Sequence, residues 1–188
     1  MGRVATVSKY AFSDDSRSTL GTGLSTAANN CCGMANSGTA GYVALGYPSG
    51  YSTTVDKFAF SDDSRTSLSS GLSTARYASS AFANSGTAGY MCGGYRNAAP
   101  KQTDIVDKWS FSDDSRSTLG TGLSTGVYNA CGFAHSGTAG FSAGGSSSAS
   151  ADLTFVDKFA FASDSRASAT ALATGGSYAA AFADSGSL

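Results

Sequence analysis

The chain reads as an all-β protein built from four repeats of about 50 residues that stack or radiate, each burying its apolar face against the next. Three observations predict this. First, one eleven-residue phrase is written four times, at Val7 to Arg17, Val55 to Arg65, Val106 to Arg116 and, in a worn form, Val156 to Arg166. Its closing arginines, Arg17, Arg65, Arg116 and Arg166, are spaced by 48, 51 and 50 residues. Second, all 13 acidic residues are Asp, Gly reaches 24, and Ser and Ala fill much of the remainder, so turn and small-residue strand formers outnumber helix formers. Third, hydrophobic residues make up 41% and recur at fixed offsets, which a disordered Ser/Gly linker would not show. The repeats run at approximately 1–46, 47–94, 95–145 and 146–188 in a single array.

The second repeat serves for all. Arg76 to Ala83 is a first strand of small residues with two aromatics, and Asn84-Ser85-Gly86-Thr87 turns the chain. Ala88 to Gly94 is a second strand ending on a double glycine, where backbone must bend or be closely approached. An unrepeated connection follows, Tyr47 to Ser52 in one copy, Tyr95 to Gln102 in the next and Ser146 to Ala151 in the third. The phrase itself is the third strand, with Asp56, Phe58 and Phe60 on one face and Val55, Lys57 and Ala59 on the other. Ser61-Asp62-Asp63-Ser64 makes a tight turn, Arg65 to Leu68 is the fourth strand, and Gly71-Leu72-Ser73-Thr74 leads onward. First strands are expected from Asn29, Tyr77, Tyr128 and Tyr178. Aligning Leu24, Leu72, Leu123 and Leu172 puts Cys32, Ser80, Cys131 and Ala180 in one small-residue column, so the four cysteines read as reduced, buried packing residues.

Four short strands per repeat, a double glycine after the second and an aromatic third strand resemble the kelch repeat, and the resemblance covers nearly the whole chain. It implies a β-propeller whose blades each have four antiparallel strands. The turn Ser61-Asp62-Asp63-Ser64 also resembles the Asp-box hairpin of other propellers, with Arg65 where that motif has Gly. The phrasing Asp-Lys-Phe, Ser-Asp-Asp-Ser-Arg and Asn-Ser-Gly-Thr-Ala-Gly-Tyr is similar to kelch-like segments of bacteriophage virion and tail proteins, a likeness of manner without a catalytic signature. In such a ring the constant turns share one face and the unrepeated loops the other. The last blade is incomplete, because the chain stops at Leu188 where a fourth second strand should begin. Closure then falls to the N-terminal strands or to another chain, since an unpaired edge invites pairing.

Charge narrows the function. Charged residues are 13% of the chain and the formal net charge is −1, which gives no field for nucleic acid. No apolar run approaches the roughly 20 residues of a membrane span, and Met1 to Thr6 lacks a signal-like core, so a soluble product without membrane insertion is expected. Eight of the 12 basic residues belong to the repeat, and groups written in every copy build the array: Asp15, Arg17, Asp63, Arg65, Asp114, Arg116, Asp164 and Arg166 are structural. Arg65 is expected to pair with Asp63. Paired turn aspartates fall short of a calcium site's six to eight ligands, and the lone His135 replaces Asn36 and Asn84 in a turn, so neither metal nor other cofactor is expected. Trp109 stands where Phe58 does and packs likewise. The residues that break the repeat, Tyr47, Tyr51, Arg76, Tyr95, Arg96, Lys101 and Gln102, are the candidates for recognition, since Tyr and Arg dominate contact surfaces. The expected role is a non-enzymatic structural or attachment protein of a phage particle, assembled with protein partners, as a homo-oligomer or within a larger virion. The alternatives are a carbohydrate-binding adhesin at the cell surface or outside the cell, reading a surface glycan, and, more distantly, a kelch-type enzyme.

Overall fold

A computed structural model describes residues 2–135, 137–147 and 151–181. Among the described residues there are sixteen strands: β1 (Ser8–Tyr10), β2 (Arg17–Thr19), β3 (Cys32–Asn36), β4 (Ala40–Ala44), β5 (Val55–Ala59), β6 (Arg65–Ser67), β7 (Arg76–Tyr77), β8 (Ser80–Asn84), β9 (Ala88–Cys92), β10 (Tyr95–Arg96), β11 (Val106–Ser110), β12 (Arg116–Thr118), β13 (Cys131–His135), β14 (Ala139–Ala143), β15 (Val156–Ala160) and β16 (Ser165–Ser168). The protein is all-β, and its described residues contain no helix.

Three antiparallel sheets of four strands carry the array, in the orders β3-β4-β5-β6, β8-β9-β11-β12 and β13-β14-β15-β16. Register is the same in each: Tyr42 lies opposite Lys57, Tyr90 opposite Lys108 and Phe141 opposite Lys158. The first strand of each sheet packs beside the next, β3 against β8 and β8 against β13. The core lies between consecutive sheets. Met34, Tyr42, Val55, Trp109 and Phe111 fill the first interface, while Phe82, Tyr90, Val106, Leu123 and Phe159 fill the second. Trp109 is fully buried in the place of Phe58, and its Nε1 donates to the Ser70 carbonyl at 2.9 Å. Sterics set the closeness of approach: a Cβ on Gly89 would collide with Met34, and one on Gly140 with the Phe82 ring.

In its strands and packing the structure departs from the sequence reading. The first strand is broken, because Ala78 takes a left-handed φ of 57° and separates the short β7 from β8. Asn30, Asn129 and Tyr178 share that conformation, with φ of 51°, 56° and 56°, so Tyr178 occupies the column of Ala78 and not that of Tyr77. Phe60 does not share the burial of Phe58: it is 45% exposed while Phe58 is 6% exposed. Among the cysteines, Cys31 is exposed and only Cys92 is fully buried, with all four free.

At the N-terminal end, β1 and β2 form a two-stranded sheet that pairs with no other strand among the described residues. A hollow of about 430 Å³ opens between this hairpin and the β3-β4-β5-β6 sheet, bounded by Val7, Tyr10, Phe12, Leu20, Val43 and Phe58. At the other end, residues 169–181 carry no strand, and the expected fourth first strand runs into residues 182–188, outside those described.

Candidate recognition surface

Three of the repeated lysines form ion pairs between neighbouring repeats. Lys9 meets Asp63 at 2.9 Å, Lys57 meets Asp114 at 2.7 Å and Lys108 meets Asp164 at 2.6 Å. Each accepting Asp sits at a left-handed turn position, φ 57°, 56° and 53°, which presents its carboxylate toward the preceding sheet. Tyr42 and Tyr90 donate their hydroxyls to Asp114 and Asp164, both at 2.7 Å. Burial first, and then these carboxylates, push both phenols above their ordinary ionisation range. The turns are joined as well, since Asn36 Oδ1 accepts from the Gly86 N–H and Asn84 Oδ1 from the Gly137 N–H, at 2.9 and 2.8 Å.

Arg65 therefore does not pair with Asp63, whose carboxylate is taken by Lys9. It lies 3.7 Å from Asp56, and Arg116 and Arg166 lie 3.4 Å from Asp107 and Asp157. These three strand aspartates are 0%, 0% and 1% exposed. Each also accepts a backbone N–H from the preceding linker, Ser25, Ser73 or Ser124, at 2.7, 2.8 and 2.6 Å. A buried carboxylate needs such partners to remain charged. The adjacent Asp62 does local work, its Oδ1 accepting the Ser64 N–H at 3.0 Å, and Asp14 and Asp113 act alike. In the worn fourth copy Ser163 replaces that Asp and its hydroxyl faces the Ser165 N–H at 3.4 Å. His135 ends β13, exposed, with Nδ1 3.0 Å from the Thr138 hydroxyl. Among the described residues no group of three or more His, Cys or Asp could hold a metal ion.

The unrepeated residues gather elsewhere. Antiparallel order puts the Asn-Ser-Gly and Ser-Asp-Asp-Ser turns at one end of the strands and the unrepeated loops at the other. At the loop end five tyrosines form one continuous cluster. Tyr47 packs on Tyr51 and Tyr77 with centroids 5.8 and 5.4 Å apart, Tyr77 on Tyr51 and Tyr95 at 5.6 and 5.5 Å, and Tyr95 on Tyr128 at 5.4 Å. The pairing of β7 with β10 sets Tyr77 directly opposite Tyr95. All five rings are half-buried. Arg3 lies over Tyr47 at 5.5 Å and Lys101 over Tyr95 at 5.8 Å, two cation–π contacts at the margin. Burial, and then the surrounding tyrosines, push the Tyr77 phenol up.

Of the sequence candidates, Tyr47, Tyr51, Tyr95 and Lys101 are brought together here. Gln102 bridges back to Tyr95 and borders a depression of about 270 Å³ with Pro100, Asp104 and Gly126. Arg96 turns its Nε onto the carbonyl of Pro100 at 2.8 Å, bracing its own loop. Arg76 is not at the surface: it is 0% exposed and joins Asp107 at 3.0 Å. Tyr77 and Tyr128 escaped the sequence reading because they align with each other and look like repeat residues. Their shared column with Asn29 in the first repeat was the available signal.

No family model matches the chain, and no curated protein sequence is similar to it. Among solved structures it is similar to the structure of YjhT, with a TM-score of 0.72 and 15% sequence identity. That match covers 94% of this chain and 65% of the other, so the present chain spans about two thirds of that protein, and the likeness is one of fold.

Proposed function

We propose that this chain is a non-enzymatic attachment protein that binds its target through the tyrosine face, as a component of a phage particle. The observation that carries the reading is the convergence of Tyr47, Tyr51, Tyr77, Tyr95 and Tyr128 from successive repeats onto the loop end of the array. Tyrosine offers large, rigid contact area with little conformational entropy to lose and a hydroxyl for polar partners. Most of the repeated ionic groups are engaged in ion pairs between sheets or within them, which favours the unrepeated loops for recognition. The architecture is that of a partial β-propeller of kelch-like repeats. Supporting this are the identical strand order of the three sheets and the adjacency of β3, β8 and β13. The virion assignment rests on the likeness of the repeated phrase to kelch-like segments of phage proteins.

A second reading, a carbohydrate-binding adhesin, draws on one observation. Tyr51 and Tyr95 lie 6.4 Å apart and 14° from parallel, with Lys101 beside them, an aromatic platform with a cationic margin onto which a sugar ring could stack. A bacterial-glycan array probed with the purified chain separates the two. Binding to one glycan class that is lost in Tyr51→Ser/Tyr95→Ser supports the adhesin. Retention on intact bacterial cells without a glycan hit, again lost in that variant, supports attachment to a surface protein. Equal behaviour of wild type and variant in both assays removes the tyrosine face from function.

A further inference from the structure

Tyr51, Tyr77 and Tyr95 sit in three separate segments of the chain, and one buried side chain adjoins them all. Arg76 precedes Tyr77 in β7. Its N–H donates to the carbonyl of Ser52, the residue after Tyr51, at 3.1 Å. Its stem passes so close to Gly94, the residue before Tyr95, that a Cβ there would come within 3.2 Å of the Arg76 Cδ. Gly94 has a φ of 114°, a conformation that glycine alone adopts readily, and from it the chain enters β10 to pair with β7. The guanidinium fixes this junction to the middle sheet, since Nη2 donates to Asp107 of β11 at 3.0 Å and to the Met91 carbonyl of β9 at 3.3 Å.

Packing alone does not explain a charge at this position. The same column holds Ala28 in the first repeat and Val127 in the third, both buried. Apolar groups therefore fill the site, and replacing a buried ion pair by packed apolar side chains is often neutral or stabilising. Asp107 does not require it either. Its counterparts Asp56 and Asp157 are as deeply buried, held by Arg65 or Arg166 and a linker N–H, with no second arginine among the described residues. Arg76 even leaves its own Nε without a partner among the described residues. What sets the second repeat apart is at the loop end. There β7 and β10 form a strand pair, where the third repeat has the single bridge of Tyr128 with Ser146.

We infer that Arg76 is the positioning residue of the tyrosine face: anchored on Asp107, it holds Tyr51, Tyr77 and Tyr95 in the arrangement that meets the target, without touching the target itself. This rests on the reading of the tyrosine face as the recognition surface. A contact surface that is already ordered binds more tightly, because fewer side chains lose freedom on binding. The near-parallel rings of Tyr51 and Tyr95 are part of that ordered surface.

Fluorine NMR of the chain carrying fluorotyrosine, with signals assigned by single Tyr→Phe substitutions, reads the arrangement with no target present. In Arg76→Met the signals of Tyr51, Tyr77 and Tyr95 should shift or broaden while that of Tyr42 stays in place. Arg76→Val, which copies the third repeat, is a second variant with the same expected pattern. Arg76→Lys keeps a long stem beside Gly94 and a charge for Asp107, and should return the signals toward wild type. Gly140→Ala, which crowds Phe82, controls for lost stability and should leave the three signals unmoved. Retention on intact bacterial cells should fall about tenfold in Arg76→Met and recover in Arg76→Lys. Unmoved signals in a folded Arg76→Met or Arg76→Val overturn the inference, and so does equal movement in Gly140→Ala. Undiminished retention of Arg76→Met, when Tyr51→Ser/Tyr95→Ser is lost from the cells, overturns it too. Equal retention of wild type and Tyr51→Ser/Tyr95→Ser instead overturns the recognition reading and with it the binding half of the inference, while the fluorine signals still decide the positioning half.

Discussion

Arg76 and Asp107, both wholly excluded from solvent, are joined by an ion pair of 3.0 Å. Asp107 also receives the Ser73 N–H and hydroxyl, the Thr118 hydroxyl and Arg116, so its carboxylate is the most heavily bonded group of the middle sheet. Asp107→Asn leaves Arg76 charged and buried, at a cost on the order of 3–5 kcal/mol. Arg76→Met costs less, because Asp107 keeps its other partners. Urea unfolding of the two variants checks this order.

Acid sensitivity follows from the same carboxylate. Burial pushes Asp107 up, but Arg76 with Thr118 and Ser73 outweighs burial and holds it below its ordinary 3.8. A group depressed in the folded state contributes its full stability above the unfolded value and loses it as pH falls through the folded one. Stability should therefore decline below about pH 4, and Asp107→Asn should flatten that part of the curve.

At the alkaline end the sign reverses. Tyr42, Tyr77 and Tyr90 are raised, chiefly by burial, so their contribution is full below the ordinary tyrosine value of 10.0 and is lost as pH rises above it. Absorbance at the tyrosinate band should show Tyr42, Tyr77 and Tyr90 ionising late. Tyr90→Phe should remove one of them and cost about 1 kcal/mol, the net worth of its hydrogen bond to Asp164.

Gly140 tests the packing between sheets. A Cβ there meets the Phe82 ring, so Gly140→Ala should destabilise by about 1–3 kcal/mol in thermal or urea unfolding. Adding Phe82→Leu, which withdraws the ring, should return part of the loss. A neutral Gly140→Ala would contradict the interface.

Thiol labelling reads burial directly. Cys31 is exposed, while burial pushes the Cys32 thiol up to about 12 and shields Cys92. Brief treatment with a thiol reagent should modify Cys31 first, and Cys92 only on unfolding, as mass spectrometry would show.

The strands were legible where chemistry is local. The period placed β5, β6 and β9, and the aspartate turn between β5 and β6, to within a residue or two. What stayed hidden lies between repeats. Lys57 and Tyr42 find Asp114 57 and 72 residues away, and the Ser25 N–H reaches Asp56 across 31 residues. Arg65 was matched to the carboxylate nearest in sequence, Asp63, and not to the buried Asp56 on the adjoining strand, because burial is not written in the sequence. One clue was present: Asp56, Asp107 and Asp157, which receive a linker N–H, share one column of the repeat, where the first copy carries Ser8. The tyrosine face was half legible, since Tyr47, Tyr51 and Tyr95 break the repeat, whereas Tyr77 and Tyr128 were disguised by their shared column.

Retention on intact bacterial cells, measured for wild type and for Tyr51→Ser/Tyr95→Ser with matched thermal unfolding, tests the central claim that recognition lies in the unrepeated loops. Loss of about tenfold or more in the variant is the predicted result, as removal of two aromatic anchors should give. Undiminished retention with the tyrosines gone would contradict it.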